Sequence, residues 1–460
     1  MRPPLPALLT TLLLAACATP GPRTAPPGEA AVSPPAGWRA ESPAGQDAVA
    51  ADWWKAFGDP RLSELVAAAL VRNADLGIAE ARVREAEGLA AQSRAALLPT
   101  LNAAGGVQKQ RELSAFGTPA EPLAAQSQLQ AAYEVDLWGR LRAGDAAARA
   151  SLQSSRYGRD AARLSVAAAV ARAYVSLTSL DAQLATARAT LVSRQEAADR
   201  ARRRAQRGVT SNLELRQAEG ELEAAAQRVP ALELAVRRQE AGLSLLAGED
   251  GAGPIVRGGL DALAVPQPSA PLPSALLERR PDIAQAEATL VGADASLAAA
   301  RAAFLPQVRL SAAAGGLKVL HIDPLTTWSL GGSVLAPIFD GGRLRGASDA
   351  AAARRDQAAF AYRKVALTAF NEVESALEGQ GRLTEQEDHA RLQRAAAART
   401  LDHARKRYQA GYVAYLEELD AQRGLLATEL ALSQVREARL LNAVALYQAL
   451  GGGWTTSPQE

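Results

Sequence analysis

The apolar positions of this chain follow two different periods, and each period occurs twice. In "QSQLQAAYEVDLW" (Gln126–Trp138) the even positions hold Gln126, Gln128, Gln130, Ala132, Glu134 and Asp136, and the odd ones hold Ser127, Leu129, Ala131, Tyr133, Val135 and Leu137. In "TLNAAGGVQKQ" Thr100, Asn102, Gln108 and Gln110 oppose Leu101, Ala103 and Val107. One polar and one apolar face at period two predict strands, here at 100–111 and 125–138. Weaker alternations through Val308, Leu310, Ala312 and Ala314, then through Trp328, Leu330, Val334 and Ile338, predict strands at 307–318 and 327–339. Segments of about ten residues suit tilted membrane-spanning strands, although a half-buried sheet in a soluble protein alternates the same way.

After each strand pair the pattern becomes helical. No proline occurs between Pro122 and Pro230, nor between Pro337 and Pro458. Long helical hairpins are therefore predicted at 139–247 and 342–450. A single helix from Gly139 to Arg207 would be about 100 Å long, several times the usual globular length. Leu416, Leu419, Leu426, Leu430, Leu440, Val444 and Tyr447 fall at spacings of three and four. They mark an imperfect coiled-coil seam, interrupted by Arg423, Ser433 and Glu437. Pro230 predicts a kink. Shorter helices at 74–98 and 281–304 precede the strands and end at Pro99 and Pro306.

The two periods recur because the chain is doubled. "NADLGIAEARVREAEGLAAQSRAALLPTL" from Asn73 is echoed by "RPDIAQAEATLVGADASLAAARAAFLPQV" from Arg280, with Asp75/Asp282, Glu80/Glu287, Arg94/Arg301 and Pro99/Pro306 in step. "VDLWGRLR" (Val135–Arg142) is echoed by "IFDGGRLR" (Ile338–Arg345). "ARRRAQRGVTSNLELRQAE" (Ala201–Glu219) is echoed by "ARKRYQAGYVAYLEELDAQ" (Ala404–Gln422). The repeats are assigned to 52–260 and 261–454, with a short tail at 455–460. A unit this long implies two similar halves and not a solenoid. Four strands cannot close a membrane barrel, so membrane strands here require several copies of the chain.

The first residues change the picture further. "MRPPLPALLTTLLLAAC" has one early cation, Arg2, and an apolar run too short to span a bilayer. It predicts a signal peptide at 1–16. Cys17, the only cysteine, follows "LAA" and resembles a lipobox residue that becomes acylated. The alternative is a free cysteine in an ordinary signal region. Several acyl chains on Cys17 would hold the chain on a membrane. Ala18 follows in place of an aspartate, which points to the outer membrane. Residues 17–51 are rich in Pro, Gly, Ala and Ser and predict an extended tether. With the long helices, this anchor tips the strands towards a membrane barrel.

Composition adds mostly exclusions. Net charge is +2, which gives no reason to expect a nucleic-acid partner, and aromatics are only 4%. Alanine takes their place, which suits closely packed long helices. The three histidines, His321, His389 and His403, have no ligand spacing. No GxSxG, P-loop or HExxH pattern occurs, so no enzyme and no cofactor other than the lipid on Cys17 is expected.

The series "DWWKAFGDPRLSELVAAALVRNADLGIAEARV", "RAALLPTL", "YEVDLWGRLR", "ERRPDIAQAEATL", "AFLPQV", "PIFDGGRLR", "RYQAGYVAYLEELDAQR" and "LYQALGGGW" resembles the outer-membrane efflux proteins, the TolC-like group, and most closely its lipoprotein branch. The resemblance covers residues 52–454 in order. It implies a mainly α fold with a small membrane β-barrel part. Three copies would each give four strands to a twelve-stranded β-barrel and their long helices to a trimeric α-barrel crossing the periplasm. The implied partners are the other two protomers, outer-membrane lipids, a periplasmic adaptor and an inner-membrane efflux transporter. The implied function is passive conduction of small molecules such as drugs. A channel for type I protein secretion is the alternative, and a structural periplasmic coiled-coil lipoprotein is a more distant one.

The resemblance also assigns the doubled basic–glycine–acidic passage to the two hairpin tips. Gly208, Val209 and Thr210 would turn the first hairpin, and Gly411, Tyr412 and Val413 the second, where the adaptor is met. The second tip is the more acidic. Asp420 and Glu417 would line the periplasmic gate, with Leu416 and Leu419 as an apolar constriction. Arg405, Arg407 and Arg423 would be latch partners. Like charges held close in a narrow pore would attract cations.

Overall fold

The computed structural model describes residues 25–40, 49–113, 117–121, 123–249, 253–319 and 323–455. Cys17, the leader and residues 456–460 of the tail lie outside them. The helices are α1 (Pro60–Arg72), α2 (Ala74–Ala95), α3 (Arg140–Gln206), α4 (Asn212–Ala247), α5 (Pro273–Leu276), α6 (Pro281–Ala302), α7 (Arg343–Gln409) and α8 (Tyr415–Ala449). The strands are β1 (Thr100–Lys109), β2 (Glu112–Leu113), β3 (Pro119–Ala120), β4 (Leu123–Val135), β5 (Gln307–Val319) and β6 (Leu325–Leu335). The described residues are thus mainly helical, with one four-stranded sheet and a two-stranded ribbon.

Two compact units are present, and they are not the two sequence repeats. Among the described residues, one is drawn from 25–32, 82–156 and 285–364, and the other from 33–81, 157–284 and 365–455. Each unit takes residues from both repeats.

The first unit holds the sheet, in the order β1-β4-β5-β6, antiparallel throughout. Leu101 pairs with Ala131, Ala131 with Ala312 and Ala312 with Leu330, so the apolar positions of all four strands share one face. That face is open: Leu101, Val107, Trp328, Leu330 and Val334 are all exposed in the single chain. β1 and β6 are edge strands. β4 stops at Val135, short of 138, because Asp136 turns to accept hydrogen bonds from the N–H groups of Leu141 (3.1 Å) and Arg142 (2.9 Å) at the start of α3. In the second repeat, Asp340 accepts from Gly342 (3.0 Å) and Leu344 (2.8 Å) in the same way. β6 ends at Leu335, short of 339, where its partner β5 runs out at Gln307.

The second unit is built on alanine and a few rings. Leu62, Leu65, Val66 and Ala69 of α1 pack with Val170, Ala171, Tyr174 and Leu177 of α3 and with Leu440, Ala443, Val444 and Tyr447 of α8. Trp53 stacks on Tyr447, ring centroids 5.2 Å apart. Charge is buried here only when paired. Arg280 donates to Glu372 (2.6 Å), Asp282 (2.7 Å) and the Ala449 carbonyl (3.1 Å). Glu387 meets Arg439 (2.7 Å), Arg436 (3.4 Å) and Arg391. Burial pushes the Glu387 carboxyl up, but the three guanidinium groups outweigh it and hold it below its ordinary value. α4 continues as helix on both sides of Pro230.

Candidate functional site: the hairpin tips

Both hairpins turn by the same device. Gly208 has φ 70° and Gly411 φ 80°, the left-handed region that glycine enters without cost. The Gly208 N–H donates to the Ala205 carbonyl (3.0 Å) and the Val209 N–H to that of Arg204 (2.9 Å). The Gly411 N–H donates to the Tyr408 carbonyl and the Tyr412 N–H to that of Arg407, each at 3.0 Å. This pair of bonds closes the helix ends and stops α3 and α7 at equivalent residues. The tips present Val209 (63% exposed) and Tyr412 (80%) to the surroundings.

The copies then diverge. Ser211 caps α4, its hydroxyl accepting from the Glu214 N–H at 3.3 Å, whereas its equivalent Ala414 caps nothing. Thr210 adds a hydrogen bond to Glu214. The first turn of α8 relies instead on Glu417 and Glu418 beside the positive end of the helix. Ala414→Ser is expected to supply the missing cap and stabilise that turn by about 1 kcal/mol. Slower amide exchange over residues 415–418 would register the gain, and unchanged exchange would refute it.

A small core joins the hairpins behind the tips. Ala198 and Ala201 of α3 and Ala218 of α4 pack on Tyr415 and Leu419 of α8. Leu419 is 1% exposed, which corrects its assignment to a constriction: its side chain fills the contact between hairpins and cannot line a pore. Leu416, Glu417 and Asp420 do lie on the exposed side of α8. The expected latch residues also separate. Arg407 meets Glu417 at 3.5 Å, but Arg405 goes to Glu418 (3.4 Å) and Arg423 donates to Glu221 through Nε at 3.0 Å. Arg423 is held charged above its ordinary range by that bond to Glu221, with burial opposing and the nearby Asp420 assisting.

Several residues that the sequence pattern passed over form a polar chain under these groups. Glu418 accepts from Arg405 and, at 2.9 Å, from Gln422. Gln422 accepts from Arg194, which is 3% exposed. Arg194 reaches Glu221 at 3.4 Å, and Glu221 holds Arg423. The chain thus runs from α7 through α8 and α3 to α4 and back to α8. Beside it, the Tyr408 hydroxyl donates to Glu214 and accepts from Arg204 at 2.9 Å, and the Arg204 guanidinium lies 5.2 Å from the Tyr408 ring centre. Burial, reinforced by Glu214, pushes the Tyr408 hydroxyl well up, so it stays protonated as the donor. The spacing of Tyr415, Glu418, Leu419 and Gln422 is the signal that marks the buried stripe.

This arrangement has the makings of a mechanical joint between the two hairpins. Among the described residues no group of three or more His, Cys, Asp or Glu side chains is placed to hold a metal. No described helix is long and apolar enough to cross a membrane.

The family model of the outer membrane efflux protein matches residues 65–249 and 272–452, one stretch in each repeat. The chain is 36% identical to the Pyoverdine export outer membrane protein OpmQ of Pseudomonas aeruginosa, over 97% of this chain and 96% of that protein. It is 32% identical to the Antibiotic efflux pump outer membrane protein ArpC of Pseudomonas putida, over 97% and 94%. Among solved structures, the open state of the Neisseria gonorrhoeae MtrE outer membrane channel superposes with a TM-score of 0.83 at 29% identity, covering 96% of this chain and 100% of that one. The doubled helix–strand–hairpin plan and these matches lead to one conclusion: this chain belongs to the outer membrane efflux protein family.

Proposed function

We propose that the chain is the exit duct of a tripartite efflux pump, acting as a homotrimer in the outer membrane of a Gram-negative bacterium and anchored there by lipid on Cys17. The carrying observation is the sheet. Four strands with an exposed apolar face and two free edges are stable neither in water nor in lipid until other copies close them. Each protomer gives β1, β4, β5 and β6 to a twelve-stranded barrel, and the hairpins α3–α4 and α7–α8 to a helical tunnel. The tips at Gly208–Thr210 and Gly411–Val413 meet a periplasmic adaptor that joins the duct to an inner-membrane transporter. Small organic molecules are the cargo, a choice supported by the names of the pyoverdine and antibiotic relatives. The chain performs no chemistry on them.

Within this duct Asp420, with Glu417, forms the acidic ring of the periplasmic gate, and Leu416 narrows it. Arg407 opposes Glu417, and Arg405 and Arg423 act from behind through Glu418 and Glu221. The test combines native mass with conductance in planar bilayers. The expected result is a trimer that conducts with a preference for cations, and a loss of that preference in Asp420→Ala/Glu417→Ala. A monomer without conductance would overturn the duct, and an unchanged ion preference would overturn the gate assignment.

A further inference from the structure

We propose that β6 of one copy pairs antiparallel with β1 of the next in one specific register, with Val334 opposite Gly105, and that the chain already displays this register internally at β4–β5. The proposal rests on the trimeric barrel above and adds which residues meet.

The duplication provides the ruler. Pro99 corresponds to Pro306, so β1 maps onto β5 residue by residue, and Gly139 corresponds to Gly342, so β4 maps onto β6. The two hairpins test this map. Leu101 pairs with Ala131, whose equivalents are Val308 and Val334, and Val308 does pair with Val334. The two hairpins therefore share one register, without slippage.

The β4–β5 junction joins the second strand of one repeat to the first strand of the next. The only other junction of that kind open to the chain is from β6 to β1 of a second copy. Carrying the β4–β5 pairs across gives its partners. Ala131↔Ala312 becomes Val334↔Gly105, and Leu129↔Ala314 becomes Gly332↔Val107. Gln128↔Gly315 becomes Gly331↔Gln108, and Ala132↔Ser311 becomes Leu335↔Ala104.

The residues at the new junction were not used to derive it, and they fit. Val334 lies on the apolar face of β6 and Gly105 on the face of β1 that carries Leu101 and Val107. A slip of one residue would put Val334 opposite the polar side of β1. Slips of two keep the face but lose the fit in size. One sets Val334 against Val107, and the other sets Gly332 against Gly105. In the proposed register each glycine faces a side chain: Gly105 faces Val334, Gly106 faces Ser333, Gly332 faces Val107 and Gly331 faces Gln108. The same rule operates inside the chain, where Gly315 faces Gln128, Gly331 faces Ser311 and Gly332 faces Leu310, whose side chain lies 3.5 Å from where a Cβ on Gly332 would be. At the β4–β5 junction the glycine sits on β5 opposite Gln128, and at the new one it sits on β6 opposite Gln108.

The test uses full-length protein in its membrane. Val334→Cys/Gly105→Cys is compared with Val334→Cys/Val107→Cys and Val334→Cys/Ala103→Cys, one step to either side on the same face. A Cβ at Gly105 meets only the Gln126 carbonyl oxygen, at 3.7 Å, so cysteine is accommodated there. Leu335→Cys/Ala104→Cys tests the same register on the opposite face. Single-cysteine variants report the background from Cys17. Because a disulfide needs closely spaced Cα atoms, oxidation should link copies into a covalent ladder ending at the trimer, about tenfold more in the proposed pairs than in the shifted ones. A shifted pair that links better, or no linking in either proposed pair while the native mass is that of a trimer, would overturn the register and leave the trimer standing. A monomeric native mass would overturn both.

Discussion

Gly451→Ala is expected to leave cells with little or no assembled protein. Gly451 sits at φ 86°, and a Cβ there would lie 1.9 Å from the Arg279 carbonyl oxygen and 2.9 Å from its carbon. Both contacts are backbone, so no side chain can swing aside. The left-handed conformation alone costs a non-glycine residue about 1–2 kcal/mol. Relieving the overlap means moving the turn that presents Arg280 to Glu372, Asp282 and the Ala449 carbonyl. Gly452 and Gly453 follow at φ 57° and 77°, against Trp53 and the backbone of Ala50, so the displacement has nowhere to spread. The combined penalty is put at about 4 kcal/mol or more, among the larger effects a single residue produces. Gly424→Ala is the contrast. Gly424 is exposed inside α8 with nothing near its Cβ, and alanine there should stabilise the helix by about 0.5–1 kcal/mol. Thermal unfolding of the two purified variants, with the yield of assembled protein, decides the matter. A Gly451→Ala protein with wild-type yield and midpoint would refute the packing assigned to "LGGGW".

The periodicities that were legible are those enforced by a regular environment. Alternation located four strands within a few residues, because each strand keeps one apolar face along its length. The strand ends were less legible, since they depend on side chains that leave the pattern. Asp136 caps α3 and ends β4, and β6 stops where β5 does, leaving Ile338 98% and Phe339 92% exposed. α1 falls outside the two periods although the sequence carries its signals: Asp59 caps it, Pro60 opens it, and Leu62, Leu65, Val66 and Ala69 form its buried stripe. It is short and precedes the helix, strands and hairpin that the two repeats share, so the repeat does not mark it.

The tip shows a deeper limit of hydropathy. Leucines at 416 and 419 set the expected seam, but the buried stripe is Tyr415, Glu418, Leu419 and Gln422. Glu418 and Gln422 are buried because each satisfies the other and an arginine reaches each of them. A one-dimensional apolar pattern cannot register polar groups whose partners come from other helices. Arg194 lies 228 residues from Gln422, and nothing local marks it as a core residue.

Arg194 is therefore the position where the tip should be most easily broken. Arg194→Met is expected to keep much of the side-chain volume while removing the cation that donates to Gln422 and the buried one on Glu221. Breaking a buried pair from one side costs about 3–5 kcal/mol. Arg423 still holds Glu221, which places the loss near the lower end. The exposed pairs cannot compensate: Arg407–Glu417, at 3.5 Å with both side chains more than half exposed, belongs to a class worth about 0–1 kcal/mol. With the joint between the hairpins weakened, Leu416 and Asp420 on the other side of α8 lose their fixed placement. The duct should then open more readily, with bilayer conductance several-fold above wild type and faster amide exchange over 194–222 and 405–422. Arg194→Met/Glu221→Met removes both ends of the buried pair and should recover much of the stability, since apolar groups of similar size replace a buried ion pair at little cost. Wild-type exchange and conductance in Arg194→Met would mean that the tip is held from its exposed side, by Arg407 and Glu417, and that the buried polar chain only fills space between the hairpins.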